Sequence, residues 1–169
     1  MEFWDIYDEH RVKTGRVMAR DDWHMAMQAG DFHISVTVLV RSHDGRYLIT
    51  QRTSDKAWAA GWWEFPGGGV QAGESPEEAA RRELAEETGL DAKSIPCELV
   101  FSYQRATPGD NNNYFMDVYR FEMNVCVADV HVQASEVAAY KLATDAEIRD
   151  LADQGIFLHY DSIKPVFEN

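Results

Sequence analysis

The sequence predicts a mixed α/β chain of the α+β kind, in which a largely antiparallel sheet is flanked by helices. Three observations point there. Runs rich in β-branched and aromatic residues, such as His33–Arg41 and Tyr114–Met123, have the composition or alternation of strands. Two stretches, at Ser75 and at Thr144, open with a hydroxyl residue followed three positions later by glutamate, the capping box of a helix start. Glycine-rich and Asp-Gly turns separate these segments. At 169 residues the chain is long enough to bury a sizeable core as one domain. We expect an N-terminal arm or hairpin over 1–30, a core over 31–156 and a tail over 157–169.

Residues 2–20 carry short semi-apolar runs around a polar stretch, which predicts a hairpin or extended arm. Asp21–Ala29 reads as a short helix capped by Asp21 or Asp22 and stopped by Gly30. His33–Arg41 and Tyr47–Gln51 form a strand pair about the Asp44-Gly45 turn. Arg52–Gly61 is a loop, Trp62–Phe65 a short strand, and Pro66-Gly67-Gly68-Gly69 a turn. The helix that follows has Ser75 as N-cap, Pro76 at its first position and Gly89 as its stop. A strand is expected near Glu98–Gln104, then a polar loop at Ala106–Asn113. Tyr114–Met123 is a strand that Cys126–Val132 continues or pairs with. Ala138–Leu142 is a further strand, and the helix from Thr144 runs to about Gln154 with Gly155 as its stop. The tail has room for one more short helix.

Composition narrows function. Hydrophobic content of 45% and charged content of 27% are ordinary for a globular protein. A net charge of −13 argues against gripping a nucleic-acid polymer, which needs a basic surface. It leaves room for a small phosphorylated substrate, because bound divalent ions reverse the local sign of a site. Cys97 and Cys126 are too few for a disulfide framework and suit no zinc site, so each is expected as a buried strand residue. No signal peptide and no apolar run of membrane-spanning length is visible, which makes a cytoplasmic location the expectation.

The informative stretch is Gly68–Leu90. Glu83, Glu86 and Glu87 stand at i, i+3 and i+4, one face of a helix, where like charges repel and weaken it. Such a cluster calls for a cation, the alternative being a solvated acidic face. The whole stretch follows the pattern G-x5-E-x7-R-E-U-x-E-E-x-G-U, with U apolar: Gly68, Glu74, Arg82, Glu83, Leu84, Glu86, Glu87, Gly89, Leu90. Seven polar or glycine positions of that kind coincide by chance roughly once in 10⁸ start points.

That pattern resembles the Nudix box. The resemblance implies a Nudix-type α/β/α sandwich and hydrolysis of a phosphoanhydride bond in a nucleoside diphosphate linked to another group. It implies Mg²⁺ or Mn²⁺, the hard cations that oxygen ligands select, held by Glu83, Glu87, Glu86 and the Gly67 carbonyl. By the same resemblance Arg82 orients the glutamates, Glu74 braces the loop–helix junction, and Glu83, Glu86, Arg82 and Glu136 make up the catalytic set. Glu136, ahead of a late strand, resembles the family's loop-borne general base; its other reading is an ordinary loop carboxylate. Arg52 and Lys56 are the cations of the loop before the box, placed to meet phosphate or else a surface partner. Gly68 and Gly69 let the backbone approach substrate. Trp58, Trp62 and Trp63 read as core or as a stacking surface for a base, and Asn111–Asn113 as a selectivity loop or a solvent turn.

Residues outside the box, including Trp4-Asp5, Tyr7-Asp8-Glu9, Gly15-Arg16, His33 and Gln51-Arg52, resemble the family branch that contains isopentenyl diphosphate isomerases. His33 matches a metal-binding histidine of that branch in position but reads as a satisfied strand-end residue. Where the isomerases place a catalytic Cys followed by Gly-His, this chain has Gly68-Gly69-Val70. Hydrolysis is therefore the leading expectation, ahead of an isomerase-like enzyme and of a domain that senses a nucleotide without cleaving it. The expected partner is a small nucleotide or nucleotide-sugar type substrate, with no nucleic-acid polymer and no membrane. Phe3, Trp4 and Tyr7, if exposed on the arm, would offer a homodimer contact.

Overall fold

The computed structural model describes residues 1–168, apart from the side chain of Asp110. Its strands are β1 (Phe3–Tyr7), β2 (Lys13–Ala19), β3 (His33–Arg41), β4 (Tyr47–Arg52), β5 (Trp63–Glu64), β6 (Gly67–Gly69), β7 (Cys97–Thr107), β8 (Asp110–Glu122) and β9 (Val137–Ala143). Its helices are α1 (Trp23–Ala26), α2 (Pro76–Thr88), α3 (Asp145–Asp153) and α4 (Tyr160–Ile163). β1 and β2 make a separate antiparallel hairpin. The other seven strands form one mixed sheet in which β3 runs parallel to β8 and every other pairing is antiparallel.

Alternation along β3 builds the two sides of the sheet. Ile34, Val36, Val38 and Val40 face one apolar layer with Ala79, Ala80 and Leu84 of α2. Leu39 faces the other, with Ile148 of α3, Phe157 and Ile163. This is the sandwich expected from the pattern, and it fixes α2 by its apolar stripe so that its acidic face points away from the sheet's centre. Leu84 is fully buried, worth about 2 kcal/mol in area removed from water. The helix is closed at both ends as expected. Ser75 and Glu78 form the reciprocal capping box, and Gly89 takes the left-handed conformation at the C-cap.

Several expectations change. Gly67–Gly69 is a strand, not a turn: it pairs antiparallel with Ser35–Thr37 of β3, and none of its three glycines has a positive φ. Glycine is needed there for closeness, since a Cβ on Gly67 would lie 2.2 Å from the Val36 carbonyl oxygen. The polar stretch 106–113 is a tight hairpin, with β7 running to Thr107 and β8 starting at Asp110, because cross-strand pairing overrides its polar composition. Cys126–Val132 adds no strand; it carries a 3-10 turn over Val127–Asp129, and Cys126 is exposed while Cys97 is half-buried. Helix α1 ends at Ala26, earlier than Gly30, and its Asp22 cap makes no side-chain hydrogen bond. In the tail, α4 supplies the extra helix, while Asn169 lies outside the described residues.

The N-terminal arm is a docked hairpin. Trp4 and Tyr7 are buried and only Phe3 of the three aromatic residues is exposed, which removes most of the surface offered for a dimer. Tyr7 and Phe32 exchange backbone hydrogen bonds at 2.8 and 2.9 Å, and Ala72 donates to the Phe3 carbonyl at 2.7 Å. Two arginines complete the docking: Arg11 forms a bidentate pair with Asp117 of β8, and Arg16 pairs with Asp31. The Asp117 side chain is 2% exposed and also accepts from the Ser102 hydroxyl at 2.7 Å. Removing its guanidinium leaves a buried carboxylate short of its charge partner. Arg11→Ala should therefore cost about 2 to 3 kcal/mol in urea unfolding, Arg11 being itself partly exposed. Adding Asp117→Asn should recover part of that loss.

Candidate active site

Strand β6 and helix α2 bring the acidic residues together. Glu83, Glu86 and Glu87 project from α2 into a cavity of about 300 Å³ that Gly67 and Gly68 floor and Glu136 closes from the loop before β9. Glu2, Arg20, Lys56 and Gln133 complete its wall. Thus Glu83, Glu86, Glu87, Lys56 and Glu136 share one space with Gly67 and Gly68, whereas Glu74, Gly69 and Arg52 do not line it.

Arg82 organises them. Its Nε and Nη2 donate to the two oxygens of Glu74 at 2.8 and 2.9 Å, and Nη2 also reaches the Gly69 carbonyl at 3.0 Å. Its Nη1 donates to Glu83 at 2.7 Å and to Glu86 at 3.3 Å. Glu74 in turn accepts from the Gln71 backbone N–H at 3.0 Å, so one guanidinium joins the loop, β6 and α2. Pairing with Glu74 first, and then with Glu83, raises the pKa of Arg82.

The carboxylates differ. Glu86 has a side chain 53% exposed, whereas that of Glu83 is 11% exposed. Burial pushes the Glu83 carboxyl above its ordinary value, and Arg82 pulls the other way. Glu87 is held well above the usual carboxylate range, by burial first and then by the charges of Glu83 and Glu64. The Gly67 N–H opposes this with a long 3.4 Å hydrogen bond. Among the described residues, no three histidine, cysteine or carboxylate groups are placed to hold a metal ion among themselves. The donors are oxygens on one open wall. That arrangement fits Mg²⁺, which binds through one or two carboxylates and takes water and substrate phosphate for the rest.

A second cavity of about 450 Å³ adjoins the first and shares Arg20, Gly67 and Gly68 with it. Its wall includes Trp4, Trp23, Trp58, Tyr114, Asn112 and Arg52. The Trp4 indole stacks on His33 with ring centroids 3.9 Å apart and lies against Gly69, where a Cβ would come within 2.6 Å of its Nε1. Burial lowers the His33 pKa to about 4 and keeps the ring neutral, with Asn112 pulling the other way. Neither ring nitrogen has a hydrogen bond of good geometry, so stacking rather than the expected polar satisfaction holds His33.

Arg52 and Lys56 both reach the site but are engaged. Arg52 donates to both oxygens of Glu64 at 3.3 and 3.4 Å, and its guanidinium lies over the Trp58 ring. Lys56 forms an ion pair with Glu136. Of the three tryptophans near this loop none is buried, and Trp58, 60% exposed, stands at the mouth of the second cavity. Asn111 and Asn113 have structural duties, donating to the Met27 carbonyl at 3.0 Å and accepting from the Thr107 N–H at 3.1 Å, while Asn112 faces the cavity. The sequence reading missed Glu2, Arg20, Trp23 and His159, which lie far from the box along the chain, and Glu64 just ahead of it; none carries a local motif.

The NUDIX domain family model matches residues 31–160. The chain belongs to the Nudix family, whose hydrolases act on acid anhydrides. It is 28% identical over 168 residues to an uncharacterized Nudix hydrolase of Listeria monocytogenes, spanning 99% of this chain and 94% of that protein. It is 46% identical over 64 residues to an RNA pyrophosphohydrolase of Halorhodospira halophila, which covers 38% of this chain and 33% of that one. A crystal structure from Deinococcus radiodurans superposes with a TM-score of 0.77 at 22% identity, over 99% of this chain and 98% of the other.

The glycines allow a direct check of this geometry. A Cβ on Gly68 would lie 2.4 Å from Glu83 Oε1, the free end of a side chain, whereas one on Gly67 meets the backbone of β3. Gly68→Ala should displace the Glu83 carboxylate, lowering turnover at least about tenfold while costing less than about 1 kcal/mol of stability. Gly67→Ala should lose about 2 kcal/mol or more, because the backbone it meets has no room to yield. Thermal melts beside a turnover assay distinguish the two.

Proposed function

We propose that this protein is a Mg²⁺-dependent (or Mn²⁺-dependent) pyrophosphohydrolase that cleaves the phosphoanhydride bond of a nucleoside diphosphate joined to another group. The observation that carries this reading is the adjacency of two cavities. One holds the carboxylates of Glu83, Glu86, Glu87 and Glu136, and the other, walled by tryptophans and arginines, shares its glycine floor. Such a pair suits a substrate with a diphosphate at one end and a flat or sugar-like group at the other.

Glu83 and Glu87, with Glu86 and the Gly67 carbonyl, are the residues that would hold the cation. When bound, it would neutralise the diphosphate and acidify a water. The chain's own groups do the rest. Arg82 keeps Glu83 and Glu86 in place without touching the substrate. Lys56 meets the incoming phosphate and, in doing so, leaves Glu136, to which it is paired in the free protein. The Glu136 carboxylate then accepts the proton of the attacking water as oxygen adds to phosphorus and the bond to the bridging oxygen breaks. Two phosphorylated products leave. Arg52, braced by Glu64, and Trp58 hold the leaving or nucleoside group in the second cavity.

Neither cysteine lines either cavity, and β6 carries no thiol, so nothing in the site favours the isomerase chemistry. Glu87→Gln should reduce metal-dependent release of phosphate or mononucleotide by about a thousandfold, and Glu136→Gln by at least about a hundredfold. The assay panel is nucleoside di- and triphosphates, dinucleoside polyphosphates, nucleotide sugars and a triphosphate-ended RNA oligonucleotide. Turnover undiminished in Glu87→Gln would sink the hydrolytic reading, and binding without turnover in the wild type would favour a sensor.

A pH dependence follows from the raised carboxyls. Without metal, Glu87 and Glu83 bind protons more tightly folded than unfolded, so they favour the fold at low pH. That contribution is lost as pH climbs from the ordinary carboxylate value through their raised ones. Mg²⁺ competes with those protons, so the rise in Tm on adding it should be larger at about pH 8 than at about pH 5. A rise of equal size at both values, or one that survives in Glu87→Gln, would count against these ligands.

A further inference from the structure

Residues 1–30 lie outside the stretch matched by the family model, yet one of them reaches both cavities. Arg20 follows β2 directly. Its backbone N–H donates to the Glu2 carbonyl at 2.8 Å, and its Nη1 donates to the Glu2 carboxylate at 2.7 Å. The backbone contact therefore places the two side chains on the same edge of the hairpin, facing the site. Glu2 lines only the carboxylate cavity, whereas Arg20 stands where the two cavities meet.

Four cations line the two cavities among the described residues: Arg20, Arg52, Lys56 and Arg105. Arg52 is held by Glu64 and by the Trp58 carbonyl, with its side chain 20% exposed. Lys56 is paired with Glu136 and 24% exposed. Arg105 donates to the Asn112 carbonyl and lies over the Tyr114 ring. Arg20 is 52% exposed and is paired with Glu2, whose own side chain is 35% exposed. The hairpin does not depend on this pair, because Arg11–Asp117, Arg16–Asp31 and the backbone bonds to Phe32 and Ala72 already dock it. An arginine fork that fits a carboxylate also fits a phosphate. An acidic side chain in a cavity with four other glutamates gives way readily to a ligand that brings its own counter-cation.

We propose that Arg20 is a specificity-determining phosphate contact, and that the Glu2 carboxylate occupies in the free protein the place of a substrate phosphate oxygen. The inference rests on reading the site as a phosphoanhydride hydrolase. From its position between the cavities, Arg20 grips the phosphate borne by the group in the tryptophan-lined cavity, while the carboxylate cavity takes the phosphate under attack. The hairpin thereby selects substrates with at least two linked phosphates. Glu2 acts as an internal competitor for that position.

The experiment uses the full chain with Arg20→Ala, Arg20→Lys and Glu2→Gln. Binding of methylenediphosphonate, a diphosphate mimic with an uncleavable P–C–P bridge, is measured by calorimetry in Mg²⁺. KM and kcat are measured for whichever nucleotide the wild type cleaves. Arg20→Ala should weaken diphosphonate binding and raise KM about tenfold or more, with kcat changed by less than about threefold, and Arg20→Lys should restore part of the affinity. Glu2→Gln should act in the opposite direction, tightening binding a few-fold. If the pair serves only to hold the hairpin, both substitutions weaken binding alike, and that result overturns the proposal. So does unchanged binding in Arg20→Ala. Should Arg20→Ala fail to fold, the sign of the Glu2→Gln effect still decides. The diphosphonate arm needs no turnover, so failure of the hydrolytic reading, seen with Glu87→Gln, is read separately.

Discussion

Arg82 carries the contacts on which the site depends. Its three nitrogens reach Glu74 on the loop, the Gly69 carbonyl on β6, and Glu83 and Glu86 on α2. Without that guanidinium, neighbouring carboxylates on one helix face would repel and turn to solvent. With it, Glu83 stays in place against Gly68, and Glu87, which pairs with no arginine among the described residues, is left facing the cavity. The distribution is uneven in a useful way. One cation anchors Glu83 and Glu86 to the loop, β6 and α2 and leaves Glu87 outside its hydrogen bonds.

The glycine strand matters for the same reason. β6 has to lie against β3 on one side and admit Glu83 and Trp4 on the other, so no position in Gly67–Gly69 has space for a side chain. Its backbone is thereby exposed to both cavities as a smooth floor. The hairpin then closes the second cavity, with Trp4 over Gly69 and stacked on His33. Ion pairs from Arg11 and Arg16 to buried aspartates hold it down. The two cavities are therefore built by parts of the chain on both sides of β3, and the wall of the second owes as much to residues 1–30 as to the box.

How far each part was legible depends on how local its causes are. Helix α2 was read to its caps, because a capping box and a C-terminal glycine act over three or four residues. Strand β3 was read to its ends from its own composition. The turn expected at Gly67–Gly69 and the loop expected at 106–113 were strands, because their pairing partners are distant in sequence and composition carries no trace of them. Trp4, expected on an exposed arm, is buried for the same reason, and of the two readings open for Trp58 the core one is not what the fold gives. An aromatic residue announces that it will bury surface, but not against what.

By itself the sequence determined the layered α+β fold, the acidic helix with its caps, and the family whose hydrolases act on acid anhydrides, since each is written in short-range spacing. Tertiary structure alone decided that Glu136 faces the box glutamates, that Lys56 neutralises it, and that Arg20 and Trp4 wall the adjoining cavity. Those are contacts between residues some twenty to eighty positions apart along the chain. Their geometry follows from how the sheet orders its strands and from where two buried aspartates anchor a hairpin, and no local pattern of residues encodes either.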